Sequence, residues 1–585
     1  MAGAEFIVRE IPGEIRVLEA FMQDSRRIVT VNRGVVALVL VLPAVLFAAG
    51  CGGPAQQSGQ AANLAGGDAT SAAAPDTGGE PAFGDWLITR MSAETENLNP
   101  YTSSDAYASR INEFIFESLL ERDNRTLDMI PELAETWEIS EDKLTYTFTL
   151  YEGTRFSDGQ PLTTEDVKFS FDTIMNPKVD APHLRNYYKD VTACEIVDAR
   201  TVRFLCSKPY FRHIVMLGSL EILPKHVYGA GDFNTHPNNR NPIGSGPYIL
   251  EKWDPGQQIV LAENPGYWGK RPYISKRIFK IILSDGPALQ ALTAGQLDSM
   301  GLTSEQWVRQ TNSERFTGQF NKFSFYQPYY NYIGWNSRRP QFSDKMVRRA
   351  LTMLLNREDI RDKIFHGLAI IVTGTSFVDT PEYKKEIKPW PYDPEQAKKL
   401  LTEAGWTDSD SDGVRDKDGT AFRFELIIKN DSPEMEQIGT IFQNELKRAG
   451  IGMSLRPLEW ATFLQQIDAR KYDACILGWS MPPDIDPYQV WHSTMAEGTG
   501  SNFVGFSNAE ADQIMETARQ TFDREERIKL YHRLHEILHE EQPYTFLFCN
   551  KSLLAVDKRF HGIVMYPFGP DSREWWVPEE LQRYP

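Results

Sequence analysis

Pro131-Glu-Leu-Ala-Glu-Thr-Trp-Glu-Ile-Ser-Glu-Asp-Lys-Leu-Thr-Tyr-Thr-Phe-Thr-Leu-Tyr-Glu-Gly-Thr-Arg-Phe-Ser-Asp-Gly-Gln-Pro-Leu-Thr-Thr-Glu-Asp-Val-Lys-Phe-Ser-Phe171 is the stretch whose reading decides the fold. From Leu144 to Leu150 apolar and polar residues alternate with period two, the pattern of a strand buried on one face. Ser157-Asp158-Gly159 is a turn, and Thr163 followed by Asp166 opens a capped helix. Strand, turn and helix in such close succession predict a mixed α/β fold. The preceding segment agrees. Asp85 to Ile88 reads as a strand, Asn97 to Pro100 as a turn, and Asp105 to Leu120 as a helix with Ile111, Phe114, Ile115, Phe116 and Leu119 on its apolar side.

A second stretch carries the candidate binding chemistry. In Tyr472-Asp-Ala-Cys-Ile-Leu-Gly-Trp-Ser-Met-Pro-Pro-Asp-Ile-Asp-Pro-Tyr-Gln-Val-Trp-His-Ser493, an apolar run from Ala474 to Leu477 reads as a buried strand. It enters a proline-stiffened loop bearing Trp479, Asp484, Asp486, Tyr488, Trp491 and His492. Aromatic faces with carboxylates at the end of a buried strand suit a ligand pocket, where a carboxylate holds an ammonium or guanidinium. No nucleophile or acid/base pair stands among them.

The chain has 585 residues, 41% hydrophobic and 24% charged, with a formal net charge of −18. Length argues for three or four domains, and the acidity argues against nucleic acid as a partner. Gly34 to Gly50 is uncharged and follows Arg26, Arg27 and Arg33. It is too short and too proline-interrupted for a membrane span and fits the apolar region of a signal peptide. Residues 1–50 are therefore read as that signal, with translation starting at Met22. Ala48-Ala49-Gly50-Cys51 resembles a bacterial lipoprotein processing site, which implies a lipidated Cys51. Residues 52–82, rich in Ala, Gly, Ser, Gln and Thr, read as a flexible tether.

The stretch from Pro131 to Phe171 resembles the signature of the extracellular solute-binding proteins of peptide ABC importers, the oligopeptide- and dipeptide-binding family. The resemblance continues in the same order at Gly244-Ser-Gly-Pro-Tyr248, Glu263-Asn-Pro-Gly-Tyr-Trp268, Asn336 to Leu351, Tyr392-Asp-Pro394, Leu400 to Trp406, and Gly478-Trp479. It covers residues 83–585. It implies a type 2 periplasmic-binding-protein-like fold of two hinged lobes with an extra domain inserted in the first. The first lobe is expected at 83–120, 242–329 and 546–585, the inserted domain at 121–241 and the second lobe at 330–545. It also implies a monomeric, non-enzymatic receptor without a cofactor, anchored by lipid outside the cytoplasm, that captures peptide between the lobes and delivers it to an ABC importer. Trp479, Asp484, Asp486, Tyr488 and Trp491 are the expected ligand contacts. Where family members carry an Asp three residues after the Gly-Trp pair, to hold a peptide ammonium, this chain has Pro482. Backbone pairing of an extended peptide is then the alternative mode of capture. Oligosaccharide, nickel-chelate and other solutes are alternative cargoes of the same fold.

Two motifs point elsewhere. His535-Glu-Ile-Leu-His539 is a literal zinc-protease pattern and would make the chain a metallopeptidase, but the stripe Leu530, Tyr531, Leu534, Ile537 and Leu538 places both histidines on the helix flank and no third ligand follows. Asp408-Ser-Asp-Ser-Asp-Gly-Val-Arg-Asp416 resembles a calcium loop, yet Gly419 stands where the bidentate Glu belongs, so it reads as an acidic surface turn and no metal is expected. Cys194 and Cys206 flank a predicted hairpin that would bring their sulfurs together. With Cys475 and Cys549 they allow three pairings, among which the sequence does not choose.

Overall fold

The computed structural model describes residues 80–584 apart from positions 104, 431 and 499. The signal-peptide segment, Cys51 and most of the tether lie outside the described residues. Among the described residues three larger sheets form. The first runs β12 (Phe320–Tyr326), β21 (Phe548–Asp557), β11 (Ser299–Gly301), β1 (Trp86–Met91), β10 (Lys276–Ile281), β9 (Gln258–Glu263) and β8 (Tyr248–Asp254), with β14 (Ala369–Ile371) attached to β21. Here β1 lies parallel to β10 and β11. The second runs β18 (Gly452–Leu458), β17 (Arg423–Lys429), β19 (Ala474–Ser480), β13 (Tyr329–Trp335) and β20 (Tyr544–Phe546). The third, β4 (Ala134–Ile139), β5 (Thr145–Leu150), β7 (Thr201–Cys206) and β6 (Val191–Ile196), falls between β1 and β8 in the chain. Two short hairpins complete the set, β2 (Leu120–Arg122) with β3 (Met129–Pro131), and β15 (Asp416–Lys417) with β16 (Thr420–Ala421).

The architecture is that of a hinged two-lobe α/β protein with an extra domain inserted into the first lobe. The chain passes from the first sheet to the second between Tyr326 and Tyr329 and returns between Phe546 and Phe548. Local chemistry explains the elements that set this up. In β5 the side chains Tyr146, Phe148 and Leu150 are buried and the threonines between them face outward, as the alternation requires. Thr163 caps the helix Thr164–Met175 with the Asp166 carboxylate reaching back to the Thr163 backbone N–H at 2.8 Å. The helix that begins after Asp105 is shorter than the periodicity predicts and stops at Asn112. Carbonyls of Phe114 and Ile115 instead accept from the Tyr248 and Gly246 backbone N–H groups. Gly244 makes this crossing possible, because a Cβ there would overlap the Ile115 carbonyl.

The first lobe is assembled from distant segments around buried charge. Asp85 and Asp298 are almost wholly buried, and the Arg559 guanidinium bonds both, Asp298 at 2.7 Å. The second Asp298 oxygen accepts from the Ile88 N–H at 2.8 Å, and Arg583 pairs with Asp557 at 2.7 Å. Burial raises the Asp298 pKa, and Arg559 opposes that shift.

The cysteine hairpin forms, but the pairing does not: Cys194 and Cys206 are buried free thiols, as are Cys475 and Cys549. The hairpin register sets Cys194 opposite Phe204, and beyond a shift between Val191 and Ala193 Cys206 stands opposite Val191, so the two sulfurs do not face each other. Burial pushes both thiols up to about 12, where they are unreactive.

Removing the shared cation from the buried carboxylates leaves them uncompensated, a change that typically costs about 3–5 kcal/mol. Arg559→Ala is accordingly expected to destabilise the first lobe by about that amount, read as a lower denaturant midpoint by near-ultraviolet circular dichroism. An unchanged midpoint would refute this role for Arg559.

Candidate functional site

The candidate site is built at the hinge. Between β12 and β13 the chain spends two residues, Gln327 and Pro328, on the crossing, and Leu547 alone makes the return. The crossings are held to each other. The Gln327 N–H donates to the Asn550 carbonyl at 2.9 Å, the Leu547 N–H to the Asn331 carbonyl at 2.9 Å, and the Met481 N–H to the Pro328 carbonyl at 2.7 Å. The last of these draws the loop after β19 against the hinge. Pro328, with no N–H, sits where no ladder partner is needed.

β19 brings Gly478 and Trp479 to the same place. Gly478 lies opposite Asn331, and a Cβ there would overlap the Tyr329 hydroxyl, so the 37% exposed Tyr329 ring lies across a bare stretch of backbone. Trp479 lies opposite Tyr330, stacks on Phe503 at 5.8 Å and donates its indole N–H to the Tyr544 hydroxyl at 3.2 Å. It remains half-buried. Tyr329 escapes the sequence reading because it belongs to another strand, and only strand pairing brings it here.

The other four expected contacts are placed differently. Trp491 is completely buried and donates its indole N–H to Thr375 Oγ1 at 3.2 Å, so it is a core residue. Tyr488 lies between the Arg519 guanidinium, 3.7 Å from its ring centre, and the stacked His492 ring at 4.0 Å. Asp486, buried, accepts from Tyr210 Oη at 2.6 Å, from Arg519 Nε and Nη2 at 3.0 and 2.7 Å, and from the Tyr488 N–H at 3.2 Å. Burial works against the Arg519 charge, and the hydrogen bonds to Asp486 overcome it to hold the guanidinium pKa above its ordinary value. Burial, then the Asp486 charge, pushes the Tyr210 phenol up. Asp484 is ion-paired with Arg122. In this arrangement both carboxylates bond residues of the inserted domain.

A cavity of about 670 Å³ lies beside the loop side of the inserted domain, lined by residues that include Glu117, Glu132, Tyr151, Tyr267, Trp268 and Arg573, and by none from the second lobe. Its floor explains one motif of the sequence: Tyr267 Oη and the Trp268 indole N–H donate to the two Glu117 oxygens at 2.7 and 2.8 Å. Burial nevertheless raises the Glu117 pKa to about 7, against those two bonds, and burial raises Glu132 as well.

The zinc-protease pattern makes no such site. His535 is not on the helix flank as its sequence position suggests but buried at 2% exposure, with Nδ1 accepting from the Lys384 N–H at 3.3 Å and Nε2 bonded to Thr373 Oγ1 at 2.9 Å. Glu536 is paired with Lys384 and with Arg533, and His539 stacks on Trp390 at 5.5 Å. Burial lowers the two histidines to about 3 and about 4. Both His535 nitrogens are therefore engaged in holding the helix against 373–384. Asp408, Asp410 and Asp412 do converge, with oxygens within 4.8 Å of one another, but they are exposed. The loop is folded by its own bonds, from the Gly413 N–H to Asp408 at 3.1 Å and from Ser409 to Asp416.

Two lobes joined by adjacent crossings, with an aromatic strand end at the hinge, have the form of a hinged solute-binding protein. Comparison with known proteins agrees. The chain matches the family of bacterial extracellular solute-binding proteins, family 5, over residues 128–502, and it belongs to that family. It is 29% identical over 525 residues to the oligopeptide-binding protein AppA of Bacillus subtilis, covering 88% of this chain and 95% of that one. The structure of AppA in complex with a nonapeptide superposes with a TM-score of 0.70, covering 85% of this chain and all of that one. NikZ of Campylobacter jejuni in complex with Ni(L-His) is 27% identical with a TM-score of 0.69, covering 84% of this chain and 99% of that one. These relatives are binding proteins.

A raised carboxyl pKa means that the folded state prefers the protonated form. The stability this contributes is present below the ordinary value of 4.5 and is lost as pH rises through about 7. Thermal stability is therefore expected to fall between pH 5 and pH 8, with Glu117 contributing on the order of 3 kcal/mol, and Glu117→Gln should flatten the profile. A Glu117→Gln profile as steep as the parent's would remove Glu117 from the linkage.

Proposed function

We propose that the protein is a lipid-anchored receptor that captures peptides between its lobes and hands them to an ABC importer. The observation that carries the reading is the hinge itself, where the ends of β13 and β19 present Tyr329, the bare backbone of Gly478 and a half-buried Trp479 at the junction of both lobes. A solute that touches both lobes binds the closed arrangement better than the open one, and closure follows as a shift of population. An oligopeptide-binding relative of nearly full-length coverage supports a peptide cargo. Asp486 already accepts four bonds and Asp484 is ion-paired, so an ammonium group has no vacant carboxylate in this loop. Capture by backbone pairing along exposed strand ends, with side chains in tolerant pockets, is the mode that fits. N-acetylation of a peptide is then without effect on binding.

Native mass spectrometry of the purified protein tests the cargo. A ladder of retained masses that fragments into amino-acid series is expected. A single nickel complex or sugar would leave the binding-protein assignment and overturn the peptide one.

The anchor rests on the arginine-flanked apolar run that ends at Cys51. Among the described residues no helix is long and apolar enough to cross a membrane. Metabolic labelling with a fatty acid is expected to mark the parent protein and not Cys51→Ala. Equal labelling of the two would exclude lipidation at Cys51.

A further inference from the structure

The inserted domain and the second lobe meet on the far side of the loop after β19, and they meet through polar groups. Arg122, in β2, is ion-paired with Asp484. Tyr210, just beyond β7, donates to Asp486 at 2.6 Å, and the next residue, Phe211, donates its backbone N–H to the Arg519 carbonyl at 3.0 Å. Arg527 lies over the Phe211 ring at 4.0 Å, and Arg524 reaches the Thr126 carbonyl at 3.3 Å and Asp128 at 3.7 Å. The second-lobe partners are prepared for this contact. Arg519 fixes both Asp486 oxygens from within its own lobe, and Tyr531 Oη holds the Ile485 carbonyl at 2.9 Å between the two aspartates. On the opposite side, the wholly buried His213 ring packs edge-on against Tyr210 at 5.3 Å.

The inserted domain is tied in the chain to the first lobe alone. Rotation of the second lobe about Gln327-Pro328 and Leu547 therefore moves Asp484 and Asp486 away from Arg122 and Tyr210 while leaving the Arg519 bonds intact. The interaction is made in the arrangement described and is broken by that rotation. We propose that Arg122 and Tyr210 are positioning residues of a latch, closing on Asp484 and Asp486, through which the inserted domain holds the second lobe shut. Contacts that never touch the solute then set part of its affinity, because apparent affinity scales with the population of the binding-competent state. A hydrogen bond to a charged, buried acceptor is strong enough to move the open-to-closed ratio by about tenfold. The latch rests on the two-lobe hinge and not on the identity of the cargo.

The test needs no solute. With the four described native thiols buried, spin labels at Leu283→Cys and Trp460→Cys, exposed positions in the first and second lobes, report the interlobe distance by double electron–electron resonance. In protein unfolded, dialysed and refolded to remove bound solute, Tyr210→Phe, Arg122→Asp and Asp484→Arg should each shift the distribution toward long distances, about tenfold in the open-to-closed ratio for Tyr210→Phe. The charge-swapped pair Arg122→Asp with Asp484→Arg should return toward the parent distribution, a rescue that general destabilisation would not give. Distributions unchanged in all variants, or a swapped pair as open as either single variant, would overturn the latch. Because the readout is taken without solute, failure of the peptide assignment leaves it untouched.

Discussion

Two adjacent crossings of the chain govern this molecule. Gln327-Pro328 and Leu547 are bonded into neighbouring strands on both sides, and at this junction β14, from the run between them, pairs with the start of β21 next to Leu547. Everything placed at that junction feels motion of the lobes. The loop after β19 is drawn there by one bond to the Pro328 carbonyl, and it is the same loop whose aspartates reach the inserted domain. The candidate capture site and the interdomain contact are thereby joined in one short segment, a coupling that follows from topology before any particular ligand is considered.

Two groups of buried carboxylates in this protein are met by a counter-group from a second element. Asp85 and Asp298 share Arg559, and Asp486 is met by Arg519 and Tyr210. Glu117 differs, with neutral donors on both oxygens, and burial raises its pKa against those bonds. The contrast shows how one carboxylate chemistry serves as a structural rivet, an interdomain contact or a proton-sensitive floor, depending on what stands opposite.

How far the sequence could be read depends on the range of each interaction. The alternation of Leu144 to Leu150 and the pairing of Thr163 with Asp166 are local, and both appear as read. The motif segments at Gly244 and Tyr267-Trp268 were visible as patterns, but their reason, close passage over Ile115 and donation to Glu117, lies in residues far along the chain. His535 was placed on a helix flank because a helical wheel knows nothing of Thr373 and Lys384, which close over that face. The cysteine hairpin is legible while its register is not, since the pairing of Ile196 with Val202 already puts Cys194 opposite Phe204. Asp484 and Asp486 were read as groups awaiting a ligand. Their cations and the Tyr210 hydroxyl come from other parts of the chain, and no spacing rule reveals them.

The first lobe is stitched together by the last part of the chain. The central strand β1 has β11 beside it, β11 is flanked by the late strand β21, and Trp86 stacks on Tyr584 at 4.4 Å. Asp85, at the start of the described body, waits for Arg559. During synthesis from the N-terminus β11, the neighbour of β1, must therefore stay unpaired on its other side until β21 has emerged. In the second-lobe sheet, by contrast, β13, β17, β18 and β19 can pair before β20 and β21 emerge. Such an order of assembly leaves the first lobe open until late, with the final segment acting as the clasp that closes it.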